Sequence, residues 1–316
     1  MSRAGNMYER LSPALLALSV LMLGLSLVAP LLAGKVERPS DRTLLATTTI
    51  LWDLARNVAG DLWTVEYLVE PGVNPHSYEP TPQDMVKAQK ASAILYNGFN
   101  LDAWVVKLLS GRMSGKMVRA TEGLEAHLLT VPDGPYAGRE DPHMWMDVML
   151  VVKYVERIRD VLSDLDPENA AHYAANAEEY IQRLKTLDEW IRSETSKIPV
   201  ERRVLVTQEN AFQYFARAYG FKVGAYFYSI ATEIEPTAQD MVYAIGRIKE
   251  LGVCVYFVET TLSRRVMETL VREAGGRIGS SLYADSLGPF GSGADSYIGM
   301  MRHNVERIVE ELLRWC

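Results

Sequence analysis

Short, nearly continuous apolar runs alternate along the chain with stretches in which apolar positions recur every three or four residues. The runs are 43–50 (TLLATTTI), 64–69 (TVEYLV), 91–98 (ASAILYNG), 116–120 (KMVRA), 203–208 (RVLVTQ), 222–227 (KVGAYF) and 253–260 (VCVYFVET). Brief runs of this kind read as strands buried within a parallel sheet. Each leads into a helical or turn pattern, and strands alternating with helices predict doubly wound parallel α/β sheets.

An internal repeat divides the pattern in two. EPTPQDMV at 79–86 returns as EPTAQDMV at 235–242, with seven of eight positions identical and an offset of 156 residues. In each copy Thr81 or Thr237 is placed to cap a helix, with Asp84 or Asp240 three residues later. A buried-strand candidate follows each copy, so the chain reads as two similar α/β lobes. Between them, residues 166–197 carry Tyr173, Ala177, Tyr180, Leu184, Leu187 and Ile191 at steps of three and four. This predicts one long helix capped by Asp166 and left at Pro199, extending about 45 Å at ~1.5 Å per residue. A helix of that length between lobes acts as a strut. The expected organisation is an N-terminal segment 1–33, a first lobe 42–165, a linking helix 166–198 and a second lobe 199–316.

No charge occurs from Leu11 to Ala33, and Arg3 and Arg10 precede that stretch. This is the layout of a secretory signal, with an uncleaved N-terminal membrane anchor as the alternative. No cysteine follows it closely, which removes a lipid on cysteine as the tether. The two cysteines are Cys254 and Cys316. Export permits a disulfide between them, but the apolar run around Cys254 favours a buried free thiol. With 33 basic against 40 acidic residues, a formal charge of -7 and no basic run, nucleic acid is excluded as a partner. The 48% hydrophobic content suits a globular protein with sizeable cores, two of them expected.

Ligands of parallel α/β sheets bind beyond the carboxyl ends of the strands. Four polar residues fall in such loops: His76 between Pro75 and Pro80, His143 in REDPHMWMD, Glu209 in VTQENAFQYF, and Asp285 in the glycine-rich YADSLGPFGSG. Two imidazoles and two carboxylates can neutralise a divalent cation and supply four to six donor atoms. Taken singly, each residue also reads as a turn or capping residue, and no H-x-x-x-H or C-x-x-C spacing joins them. His127, His172 and His303 read as surface or packing residues. The repeat places Thr232 where the first copy has His76, which suits one shared site over one per lobe.

The segments GVNPHSYEPTPQD, DPHMWMD, ENAFQYFARAYG, TEIEPTAQDM and LYADSLGPFGSGADSYIGMMRHN together resemble the cluster A-I solute-binding proteins of manganese, zinc and iron ABC transporters. The resemblance runs from about residue 43 to the C-terminus. It implies two parallel α/β lobes joined by one rigid helix, a metal in the cleft, and His76, His143 and Asp285 among its ligands. The third ligand divides the subfamilies: members similar to zinc receptors usually carry histidine where this chain has Glu209. The segment between the first two ligands holds only His127, whereas zinc receptors often have a histidine-rich loop there. Both departures favour manganese or iron, and a harder donor set agrees in direction; Mn²⁺ is the favoured metal over Fe²⁺ and Zn²⁺.

The expected function is therefore an exported receptor, a monomer and not an enzyme, that captures Mn²⁺ and delivers it to a membrane permease. A zinc receptor of the same family is the first alternative. A mononuclear metalloenzyme with Glu259 as general base, or a scaffold with a structural metal, are the others. The aromatic residues Trp52, Trp145 and Tyr228 are read either as shields of the cleft or as core.

Overall fold

The computed structural model of the protein describes residues 42–109, 115–134, 136–228 and 236–315. The apolar stretch 11–33, Thr232 and Cys316 lie outside the described residues. Among the described residues no helix is long and apolar enough to cross a membrane.

The first parallel sheet has β1 (Thr43–Ala46), β2 (Thr64–Tyr67), β3 (Ala93–Tyr96) and β4 (Lys116–Arg119) in the order β2-β1-β3-β4. The strand order reverses at β1, so the carboxyl ends of β1 and β3 face a switch-point crevice. β1 is shorter than the run 43–50 because the threonines after it are needed elsewhere. Thr48 caps α1 (Thr49–Ala59) by accepting from the Leu51 N–H, and Thr47 Oγ1 donates to Asp102 at 2.6 Å. Helices α2 (Pro82–Lys90) and α3 (Ala103–Leu109) follow β2 and β3.

A short antiparallel hairpin, β5 (Leu129–Thr130) with β6 (Glu140–Asp141), precedes α4 (Val148–Leu165). It went unread in the sequence because two-residue strands carry no period. The long helix α5 spans Ala170–Ser196, about 40 Å at ~1.5 Å per residue, after a 3₁₀ turn at Pro167–Asn169. Asp166 does not cap it, contrary to expectation. Its buried carboxylate instead pairs with Arg42 and accepts from the Tyr173 hydroxyl at 2.6 Å, tying the start of the helix to the start of β1.

Beyond α5 come β7 (Val204–Val206), α6 (Gln213–Tyr219), β8 (Lys222–Ala225), α7 (Ala238–Leu251), β9 (Val255–Glu259), α8 (Arg264–Ala274), β10 (Arg277–Leu282) and α9 (Tyr297–Trp315). β7 pairs with β8 and β9 with β10, all parallel. Side chains bridge the two pairs: the Glu259 carboxylate accepts from the Gln208 N–H at 2.9 Å, and Gln208 Oε1 accepts from the Glu259 N–H at 3.1 Å. β10 was missed because RIGSSL is half polar and only partly buried.

The repeat folds alike in both copies. Thr81 and Thr237 each accept from the third-residue N–H, and Asp84 and Asp240 return the bond to the cap, completing two capping boxes. Two separate cores were expected, yet the largest apolar cluster runs from Leu44 through Leu184 and Leu205 to Leu312. The long helix packs into it from Tyr173 to Ile191, which joins the halves. Cys254 is half-buried and disulfide-bonded, overturning the free-thiol expectation. The sequence holds one other cysteine, Cys316.

Asp53 of α1, fully buried, ties three helices together. It accepts from Arg56 Nε at 2.9 Å, from the Tyr180 hydroxyl of α5 at 3.2 Å and from the Tyr297 N–H of α9 at 2.9 Å. Asp53→Ala strands two buried donors and is expected to destabilise the protein by about 3 kcal/mol, read as a lower urea midpoint with an unchanged slope.

Candidate metal centre

The chain brings four loop residues to one point. His76 follows β2, in a turn where its N–H donates to Asn74 Oδ1 at 2.8 Å. His143 follows β6, Glu209 follows β7, and Asp285 follows β10. One donor atom from each lies within 4.8 Å of the others. His76 Nε2 is 3.3 Å from His143 Nε2, 3.3 Å from Glu209 Oε1 and 3.8 Å from Asp285 Oδ1. His143 Nε2 is 3.3 Å from Glu209 Oε1 and 3.2 Å from Asp285 Oδ1. Four donors about 2.1 Å from a common centre stand roughly 3.4 Å apart at the corners of a tetrahedron, so the spacing matches a cation cage.

The cage is dry. Relative exposure is 7% for His76, 0% for His143 and Glu209, and 2% for Asp285. Among the described residues, both oxygens of Glu209 and Oδ1 of Asp285 have no hydrogen-bond partner. Buried carboxylate oxygens without donors are expensive, and a divalent cation among the four donors would satisfy them. Burial and the charge of Asp285 push the Glu209 carboxyl up to about 7. Burial also works against ionising Asp285, but the His143 and His76 imidazoles facing it outweigh burial and hold that carboxyl well below the usual range. At His143 burial disfavours the cation, yet Asp141, Asp285 and Glu209 together raise the imidazole well above 6.5.

Residues behind the donors aim them. Asp141, fully buried, accepts from His143 Nδ1 at 2.7 Å and from the His143 N–H at 3.0 Å. A proton on Nδ1 leaves the Nε2 lone pair facing the cage. Gln213 Nε2 holds the other Asp141 oxygen at 2.7 Å, and the Tyr214 hydroxyl donates to the Asp141 carbonyl at 3.0 Å. Trp145 lies edge-on to the His143 ring at 5.1 Å, and its Nε1 donates to the Ala284 carbonyl at 2.8 Å, beside Asp285. Thr261 Oγ1 reaches Asp285 Oδ2 at 3.4 Å.

Glu259 is spent on structure. It is buried, and its carboxylate accepts from the N–H groups of Gln208 and Glu209, which supports the Glu209 loop. His127 and His172 are exposed, and His303 Nε2 contacts the Ser281 carbonyl, all apart from the four. Trp52 packs on Tyr67 and Phe290. Tyr228 is buried and bridges to the Glu209 backbone.

Residues 44–311 match the family described as "ZnuA: Zinc-uptake complex component A periplasmic". The chain belongs to this family. It is 38% identical over 279 residues to the manganese-binding lipoprotein MntA of Halalkalibacterium halodurans, covering 88% of this chain and 91% of that one. It is 37% identical over 278 residues to the iron-binding protein YfeA of Yersinia pestis, covering 87% and 88%. The solved periplasmic zinc binding protein TroA from Treponema pallidum superposes with a TM-score of 0.81 at 30% identity, over 86% of this chain and 99% of that one. This member of the ZnuA family thus has the α/β fold of TroA-like proteins, two parallel-sheet lobes with a long helix.

Asp141, Gln213 and Thr261 were not anticipated from the sequence of this ZnuA-family chain. Asp141 stands two residues before His143, the one signal that pointed to it. Asp141→Asn keeps the shape but loses the charge that orients His143. It is expected to weaken metal affinity about 10- to 100-fold with one metal still bound per chain, measured by competition against a calibrated chelator.

Proposed function

We propose that this chain is the extracytoplasmic receptor of a metal ABC transporter, capturing Mn²⁺ through His76, His143, Glu209 and Asp285 and passing it to a membrane permease. The observation that carries this reading is the dry cage of two imidazoles and two carboxylates with three partnerless oxygens. Every donor comes from the chain itself, so the function is binding and release, performed by a monomer. The apolar N-terminal stretch directs export.

Manganese is favoured over iron and zinc by Glu209. With both its oxygens available, the site can bind through five donors, above the four that tetrahedral zinc takes. The relative named for manganese binding points the same way. Zinc is the second reading, because zinc outcompetes manganese for most mixed N/O sites and the family description names zinc.

Titration of chelator-stripped protein with Mn²⁺ under anaerobic conditions is expected to give one tight site per chain, abolished by Glu209→Ala. Absent Mn²⁺ binding with one tight Zn²⁺ reassigns the cargo to zinc. Protons compete with the metal at His143, whose pKa is raised, and at Glu209, near 7. Metal binding must expel both protons, so apparent affinity is expected to rise steadily from pH 6 to pH 8, with proton release seen as buffer-dependent heat. A flat affinity across that interval contradicts the donor set.

A further inference from the structure

A cavity of about 410 Å³ opens beside His76, lined also by Tyr78, Glu79, Asn100, Ala103 and Trp104. His76 is the most exposed of the four candidate ligands, at 7% against 0%, 0% and 2%. Among the four, His76 alone lines this cavity.

Its walls are pinned. Trp104 Nε1 donates to the Pro75 carbonyl at 3.1 Å, and the Trp104 ring packs on Tyr78 at 5.1 Å. The Tyr78 hydroxyl in turn donates to Asp84 at 2.7 Å. Opposite, Gly98, Phe99 and Asn100 all adopt left-handed backbone, at φ +91°, +49° and +63°. That conformation is unfavourable for Phe99, whereas asparagine tolerates it. Asp102, buried, holds the turn by accepting from the N–H groups of Asn97 at 2.6 Å and Gly98 at 2.9 Å. Strained backbone retained at such a place is a mark of a working surface. Glu79 is the acid among the cavity-lining residues, and its side chain is exposed.

Resting on the metal-receptor reading, we propose that this cavity is the vestibule through which the cation enters and leaves, and that Glu79 is the first ligand it meets. A hydrated divalent ion sheds its waters in steps. A carboxylate in the vestibule holds the ion while part of its shell remains, after which His76 draws it into the cage. A group that stabilises only this passing state speeds arrival and departure alike and leaves the equilibrium untouched.

The test is stopped-flow kinetics of the chelator-stripped protein, following Mn²⁺ through tryptophan fluorescence and its release into excess chelator. Glu79→Gln is expected to slow both association and release about three- to tenfold, with Kd within about twofold. Ala103→Phe, which narrows the cavity without changing charge, is expected to do the same. Glu273→Gln, an exposed change on α8, controls for net charge and should alter neither rate. Unchanged rates in both vestibule variants, or a weaker Kd with faster release, overturn the proposal. If the unaltered protein fails to bind Mn²⁺, the manganese assignment falls while the vestibule is tested in the same way with Zn²⁺.

Discussion

Glu209 and Asp285 are two buried carboxylates aimed at the same few cubic ångströms, and their repulsion is the constraint on which the rest of the structure depends. Both are buried, and three of their oxygens find no donor among the described residues. Despite burial, the surrounding carboxylates raise the pKa of the His143 imidazole, and burial beside Asp285 raises that of the Glu209 carboxyl, so a proton competes for the place a cation would take. Such an arrangement persists only if the surroundings cannot relax. Trp145 spans from His143 to the residue before Asp285, Glu259 grips the Glu209 loop, and Asp53 locks three helices behind it.

Much of this was legible in the sequence, for physical reasons that differ by element. Strands β1, β3 and β9 were readable because burial within a parallel sheet demands near-continuous apolar runs. β10 escaped because its polar half faces outward, and the hairpin β5–β6 because its pairing is too short to leave a period. His76 and Glu209 were readable from their place after β2 and β7, since the topology dictates where loops converge. His143 and Asp285 follow strands that went unread, and stood out through their proline- and glycine-flanked loops and the family resemblance. Asp141 and Gln213 were not readable, because their roles exist only once the α6 segment lies against the loop before His143. Asp166 misled in an instructive way: a cap-like position was overridden by a buried partner, Arg42.

The loop before His143 also binds the two halves of the chain together. Tyr226 and Tyr243 hydroxyls donate to Asp133, and the Tyr136 hydroxyl donates to Asp240 at the start of α7. His143 is thus set by contacts from the second half although it precedes the long helix in sequence. His76, in contrast, is set by Pro75, Asn74 and Trp104 of the first half. The Asp285 loop is held from both halves, by Trp145 and Thr49 of the first and by Thr261 of the second.

The twin capping boxes at Thr81 and Thr237 are one helix-starting device used twice, while the loops that lead into them have diverged. Only the first delivers a histidine to the cage. A chain built from two copies of a unit is free to change the donor at one corner without disturbing the same position in the other copy. Metal preference in such a scaffold is open to revision by single substitutions, with the folding instructions held constant.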